Sequence, residues 1–209
     1  WESGDNRHIL LPDFEPATNY FYQLDELHFS APRLRIAGTV MPLFSLRSAH
    51  GWGIGDFGDI RLVADWLAAT GQNILQLLPV NDTTVCGGNE DSYPYNCVSV
   101  YALNPIYADI SVLPLLSSDK RAAYYSKERE KLNAQPTVKY AQVYRLKITY
   151  LRELFDEVGN EVLASEGFKA FCSEQEQWLK PYCAFRFLST RLHSNMWDWK
   201  DYPRYDSTT

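Results

Sequence analysis

The sequence predicts an α/β protein whose strands run parallel, and three observations lead there. Thr39-Val40-Met41-Pro42-Leu43 and Ile74-Leu75-Gln76-Leu77-Leu78 are short apolar runs, the second stopped by Pro79. Between them Ile60, Val63, Ala64 and Leu67 recur at helical spacing, with Asp56 or Asp59 placed to cap the start and Gly71 to end it. A strand, a helix and a second strand in that order need a crossover, and a crossover of this kind sets the strands parallel.

The remaining elements follow in order. Trp1 to Arg7 reads as the end of one module, and His8 to Leu11 is an apolar run. Pro12, Pro16 and Pro32 punctuate a linker. Leu34 and Ile36 then alternate with Arg33 and Arg35 ahead of the first strand. A glycine-rich loop spans residues 51–58, and a loop of Gly, Asn, Asp, Tyr and Pro runs from Asn81-Asp82 to about Asn96. Residues 98–113 read as short extended pieces, and from Ser117 the chain turns helical. Tyr140, Tyr144, Ile148, Leu151, Phe155 and Val158 form one amphipathic stripe, closed by Gly159. Phe168, Phe171, Trp178, Tyr182, Phe185 and Leu188 form another, and Pro181 is expected to kink or split its helix. Two parallel strands cannot cover themselves, so these elements read as part of a larger α/β protein. The isolated chain is expected to fold poorly, with sheet edges exposed.

Composition excludes several classes. With 45% hydrophobic residues the chain has enough apolar material for a core and is neither disordered nor fibrous. A net charge of -6 with scattered Lys and Arg argues against nucleic acid as a partner. Apolar stretches such as Ile74 to Val80 are too short to cross a bilayer. The chain starts at Trp1, so the lack of an N-terminal leader carries little weight. Cys86, Cys97, Cys172 and Cys183 form no C-x-x-C pair. Cys172 and Cys183 sit in apolar helical patterns, as buried free thiols do, and reduced cysteines suggest a cytoplasmic protein. The four histidines, His8, His28, His50 and His193, have no i+4 partners, so no metal and no cofactor is expected.

Gly53-Ile54-Gly55-Asp56-Phe57-Gly58 matches G-x-G-x-x-G, with Asp82 near the end of the next strand. A dinucleotide-binding oxidoreductase is one reading. Against it, the stretch Phe44 to Trp52 separates Leu43 from Gly53, whereas a dinucleotide fold places the first glycine directly after the strand. A tight loop with a helix cap is the alternative. Asp91-Ser92-Tyr93-Pro94-Tyr95-Asn96 is a second candidate: flat rings beside donors and acceptors suit the apolar face and the hydroxyls of a sugar. Its bland alternative is a surface loop with inward tyrosines. Its place after a parallel strand is where α/β proteins hold ligands. Retaining glycoside chemistry needs two carboxylates roughly 5–5.5 Å apart. Asp56, Asp59, Asp82, Glu90 and Asp91 are available, but no convincing pair stands out and no catalytic residue is assigned. Acids from Asp119 to Glu176 read as solvated helix faces. Trp52, Trp66 and Trp178 read as core residues, with ligand contact as an alternative for Trp52.

Several of these blocks occur together in one family. Pro42-Leu43-Phe44-Ser45-Leu46-Arg47 with Gly53 to Gly58 resembles the opening of the 4-alpha-glucanotransferases of glycoside hydrolase family 77. Gln76 to Thr83, Asp91 to Asn96, and Asn104-Pro105-Ile106-Tyr107-Ala108-Asp109 resemble the next family blocks in order. Trp178-Leu179, Tyr182 and Trp197-Asp198-Trp199 resemble the helical insertion that follows, so the likeness covers about residues 33–203. The form Ser-Tyr-Pro-Tyr-Asn resembles the plant cytosolic disproportionating type and its bacterial relatives, which carry starch-binding modules in front.

The resemblance implies an incomplete (β/α)8 TIM barrel with a helical insertion. It divides the chain into the end of a starch-binding β module (1–11), a linker (12–32), the first barrel units and substrate loop (33–116), and an insertion (117–209). It implies transfer of α-1,4-glucan segments between malto-oligosaccharides, starch or glycogen-like glucans by a retaining double displacement. The catalytic Asp and Glu are expected beyond the chain's end, so this chain supplies glucan subsites. Tyr95 matches the family tyrosine that contacts glucan, with Ser92, Tyr93 and Asn96 as neighbours, Asp82 at the strand mouth and Trp52 as a further contact. A non-catalytic glucan-binding fragment is the alternative. The oligomeric state is not assigned.

Overall fold

The structure is a computed structural model that describes residues 35–192 and the separate positions 13, 15–17, 19, 21 and 199. The chain divides into two compact units, residues 1–36 and 37–209. In the first, residues 16 and 17 form a turn, with Ala17 at φ 65°. The expected end of a β module over 1–11 lies outside the described residues.

The second unit opens with β1 (Gly38–Met41), α1 (Phe57–Ala69) and β2 (Ile74–Leu77). The two strands pair in parallel, from Gly38 opposite Ile74 to Met41 opposite Leu77. The strand–helix–strand unit is therefore present. β1 is shorter than its apolar run, because Pro42 ends it and Leu43–Ser45 closes as a 3-10 turn. The eight-stranded barrel is not seen: among the described residues the sheet has these two strands. Asp56 caps α1 by accepting the Gly58 amide at 3.0 Å, and Asp59 reaches back to the Asp56 amide at 2.9 Å, a reciprocal box. Thr70 closes the helix and Gly71 follows at φ +73°.

Among the described residues four helices follow: α2 (Asp119–Asn133), α3 (Tyr140–Ala164), α4 (Glu166–Glu174) and α5 (Glu176–Leu192). Three sequence expectations change here. Gly159 does not end α3, which runs on to Ala164 before Ser165 caps α4. Pro181 does not break its helix; the break falls at Gln175, and Pro181 lies inside α5. A glycine inside a helix costs roughly 1 kcal/mol and a proline roughly 3 kcal/mol, and the surrounding structure overrides both here. Residues 98–113 are less extended than expected. Asn81 and Leu103 form an antiparallel bridge, and Pro105–Tyr107 and Ile110–Val112 are 3-10 turns.

The core lies away from the sheet. Leu43, Ile54, Ile106, Tyr107 and Val143 pack where the glycine loop, the 104–108 turn and α3 meet. Beside them Trp52, Ile110, Leu116, Tyr125 and Tyr150 pack among α2, α3 and the 108–116 segment. The buried face of α3 is Tyr140, Val143, Lys147, Tyr150 and Leu154, turned from the expected stripe, of which Phe155 is exposed. The strands, expected to be buried, alternate between exposed and half-buried positions. Trp66, expected in the core, is 51% exposed on α1. Cys172 is half-buried and Cys183 exposed, not the buried thiols that their apolar neighbours suggest. Among the described residues no helix is long and apolar enough to cross a membrane.

Candidate functional site

The segment after β2 is built by polar side chains that fold a loop onto itself. Asp82 is buried. Its amide donates to the Ala102 carbonyl and its own carbonyl accepts from the Val98 amide, both at 2.8 Å, so it ties the start of the loop to its return. Its Oδ1 accepts the Thr84 amide at 2.9 Å. Its Oδ2 accepts the Tyr182 hydroxyl at 2.7 Å and lies 3.8 Å from Arg186 Nε. Burial, with the Asp82 carboxylate, pushes the Tyr182 phenol well above its ordinary value, so it remains the donor. Arg186 also donates to the Thr84 carbonyl and to the Tyr144 hydroxyl. One turn of α5 thus clamps the strand mouth.

Further along, Asp91 Oδ2 accepts the Cys86 amide at 3.1 Å and the Gly87 amide at 2.6 Å. The Thr83 hydroxyl donates to the Asp91 carbonyl, and Asn104 Nδ2 donates to Thr83 at 3.2 Å and to the Tyr140 hydroxyl at 3.1 Å. Asn89 Oδ1 accepts the Ala141 amide at 3.3 Å, which supplies the first turn of α3 with a partner that Lys139 does not give it.

On this base stand the residues singled out from the sequence. Tyr93 and Tyr95 are 61% and 59% exposed, with ring centroids 5.6 Å apart and planes at 52°. Ser92 and Asn96 are exposed beside them. The Ser92 hydroxyl donates to the Asn89 carbonyl at 2.7 Å, and the Asn96 amide donates to the Tyr93 carbonyl at 3.2 Å. Ser92 and Asn89 also border a cleft of about 710 Å³, with Phe44, Tyr140 and Gln142 among its other walls. The structure thus gathers Ser92, Tyr93, Tyr95 and Asn96 on one exposed loop, while Asp82 serves the buried scaffold.

Trp52 is elsewhere. It is buried, edge-on to Tyr150 at 5.3 Å and tilted against Tyr125 at 6.3 Å. The glycines around it serve close packing. Gly53 sits at φ +85°, and a Cβ there would meet Leu132 at 2.9 Å; one on Gly55 would meet the Leu43 carbonyl oxygen at 2.2 Å. The loop closes on its own chain, which gives G-x-G-x-x-G a packing explanation in place of a phosphate cradle.

Arg186 and Thr84 were not singled out in the sequence. The available signal was the i, i+4 spacing of Tyr182 and Arg186 on one helix face. Among the described residues no group of His, Cys, Asp or Glu could hold a metal ion.

Comparison with known proteins gives one answer. The family profile described as 4-alpha-glucanotransferase, glycoside hydrolase family 77, matches residues 41–209. The 4-alpha-glucanotransferase DPE2 of Oryza sativa subsp. japonica is 36% identical over 90% of this chain and 20% of its own length. The 4-alpha-glucanotransferase of Chlamydia caviae is 36% identical over 74% of this chain and 28% of its own. That of Aquifex aeolicus is 28% identical over 80% of this chain and 32% of its own. The chain thus spans between a fifth and a third of these curated relatives.

Proposed function

The chain belongs to the 4-alpha-glucanotransferase family, glycoside hydrolase family 77, and we propose that it forms the glucan-holding part of an enzyme that transfers α-1,4-glucan segments. The substrates are malto-oligosaccharides and starch- or glycogen-like glucans, and the reaction is a retaining double displacement. Tyr95 and Tyr93 receive the apolar faces of glucose rings, Ser92 and Asn96 serve the hydroxyls, and Asp82 keeps the loop in place. Trp52 acts from behind, by packing the glycine loop. The protein is placed in the cytoplasm. Residues 1–11 end a starch-binding module, 12–32 link it, 33–116 hold the first barrel units, and 117–209 form the insertion.

The exposed Tyr93–Tyr95 pair carries this reading, because it stands on a base too well bonded to collapse. Exposed rings on a fixed loop retain little freedom to lose when a sugar stacks on them. Binding, not bond breaking, suits the acids described. Asp56 and Asp59 close a capping box, and Asp82 and Asp91 are occupied by loop hydrogen bonds. These occupied acids also favour a second reading, in which the protein binds glucan and transfers nothing.

The test is conversion of maltotriose, or of maltose with glycogen, into other glucans by the natural protein that carries these residues. Tyr95→Ala should lower kcat/KM roughly 10-fold or more, as removal of a stacking ring does when worth about 1.5 kcal/mol. Glucan binding with no conversion by the unaltered protein selects the second reading. Conversion unaffected by Tyr95→Ala and Tyr93→Ala removes the loop from the site.

A further inference from the structure

A second cleft lies between α3, α5 and residues 84–87 at the start of the tyrosine loop, with a volume of about 410 Å³. That is within the ordinary range for small-ligand sites. Arg145 and Arg152 border it from α3, two turns apart on one helix face, and Arg186 from α5. None of the residues that line it is acidic, in a chain whose net charge is -6. Arg186 is shared with Asp82. Among the described residues Arg145 and Arg152 have no carboxylate within ion-pair distance, although the chain offers its exposed arginines many acids.

The second observation is independent of charge. Thr84 and Ser189 both border this cleft and both are buried, and their hydroxyl oxygens have no hydrogen-bond partner. Buried hydroxyls normally find a partner within the protein, so two orphans just beneath one cleft wall form a deficit that a ligand oxygen fills once either side chain turns toward it. The two guanidinium groups of Arg145 and Arg152, with the two hydroxyls, offer more donors than the two oxygens of a carboxylate accept. A phosphoryl group, with three terminal oxygens and close to two negative charges, uses them.

We propose that this cleft binds a phosphoryl group, carried either by a phosphorylated sugar or by free phosphate, with Arg145 and Arg152 as its charged walls and Thr84 and Ser189 as neutral donors. The proposal does not rest on the glucan reading, because its charged walls Arg145 and Arg152 lie on α3 and it uses neither Tyr93 nor Tyr95. It adds an anion site to a protein whose proposed substrates are neutral.

Calorimetric titration of the natural protein with glucose 6-phosphate, inorganic phosphate, gluconate and glucose tests it. Saturable binding of a phosphoryl compound is expected, weakened about tenfold or more by Arg152→Gln, as loss of a charge-assisted hydrogen bond implies, and weakened by added salt. Tighter binding of glucose 6-phosphate than of phosphate identifies a phosphorylated sugar as occupant; equal binding identifies free phosphate. Thr84→Val keeps the side chain's shape, so it should weaken binding while thermal stability is held or raised. The proposal is overturned if neither phosphoryl compound binds saturably, if gluconate binds as tightly, or if Arg145→Gln and Arg152→Gln both leave the affinity unmoved.

Discussion

The β1–α1–β2 unit and the α2–α3 core meet burial in opposite ways. The first is regular and exposed: Val40 on β1 is 61% exposed, and Leu62, Trp66 and Ile74 all face outward. The second is built of loops and helices yet is dry enough to hide a lysine. Lys147 on α3 is fully buried, donating to the Ile106 and Ala108 carbonyls at 2.8 Å each, with Asp56 Oδ2 at 3.8 Å. Regular secondary structure and core are therefore separate matters in this chain. Two strands and one helix offer few surfaces to bury against each other, whereas α3 is enclosed by the glycine loop, the 104–116 turns and α2. Lys147 fastens these pieces, since it joins α3 to the turn at 106–108 and to the cap of α1.

The strongest test of that contrast removes the lysine. Lys147→Met leaves Asp56 buried without its cation and two carbonyls without a donor, and should cost about 3–5 kcal/mol in urea unfolding. A loss below about 1 kcal/mol would mean the cluster is not the fastening. Next in size is Gly53→Ala. It strains a left-handed backbone and presses a Cβ onto Leu132, with an expected loss of more than about 1 kcal/mol, readable as a lower unfolding midpoint.

The dependence on pH sharpens the same contrast. Burial pulls the Lys147 amine down to about 8, against the pull of Asp56, Asp109 and Asp59. In the unfolded chain the amine releases its proton near 10.4, so from about pH 8 to 10 the unfolded state holds a proton that the folded state has lost. The contribution of Lys147 to stability therefore rises with pH across that window. Tyr125 opposes it higher up. Burial pushes its phenol up to about 12, so the unfolded chain ionises first and stability falls above pH 10. Unfolding midpoints in Lys147→Met should lose the rise and keep the fall. The smallest effect is expected in the sheet unit, where Val40→Thr should move stability by no more than about 0.5 kcal/mol. A loss of about 2 kcal/mol would show that β1 is covered in the natural protein.

Part of this was legible in the sequence. The 3.6-residue spacing of α1, its Asp56 cap and its Gly71 stop are local signals, and local interactions realise them. The parallel pairing follows from the crossover, and the tyrosine loop falls where its turn residues predict because turn chemistry is also local. On α3 apolar spacing alone points to Tyr144, Ile148 and Phe155, and none of these is fully buried. The stripe that is buried has Lys147 at its centre, and a charge there becomes tolerable only through two carbonyls and an acid from distant segments.

The sequence by itself determined the family, the strand–helix–strand unit and the place of the tyrosine loop, because each is written in residues close together along the chain; that Tyr93 and Tyr95 point outward was decided by the tertiary structure. Tertiary structure alone decided that Trp52 is enclosed and Trp66 exposed, that α3 runs through Gly159, and that Asp82 answers to Tyr182 and Arg186, 100 or more residues away. Those outcomes depend on which surfaces meet, and burial and pairing free energies set by distant partners outweigh the local preference of any one residue.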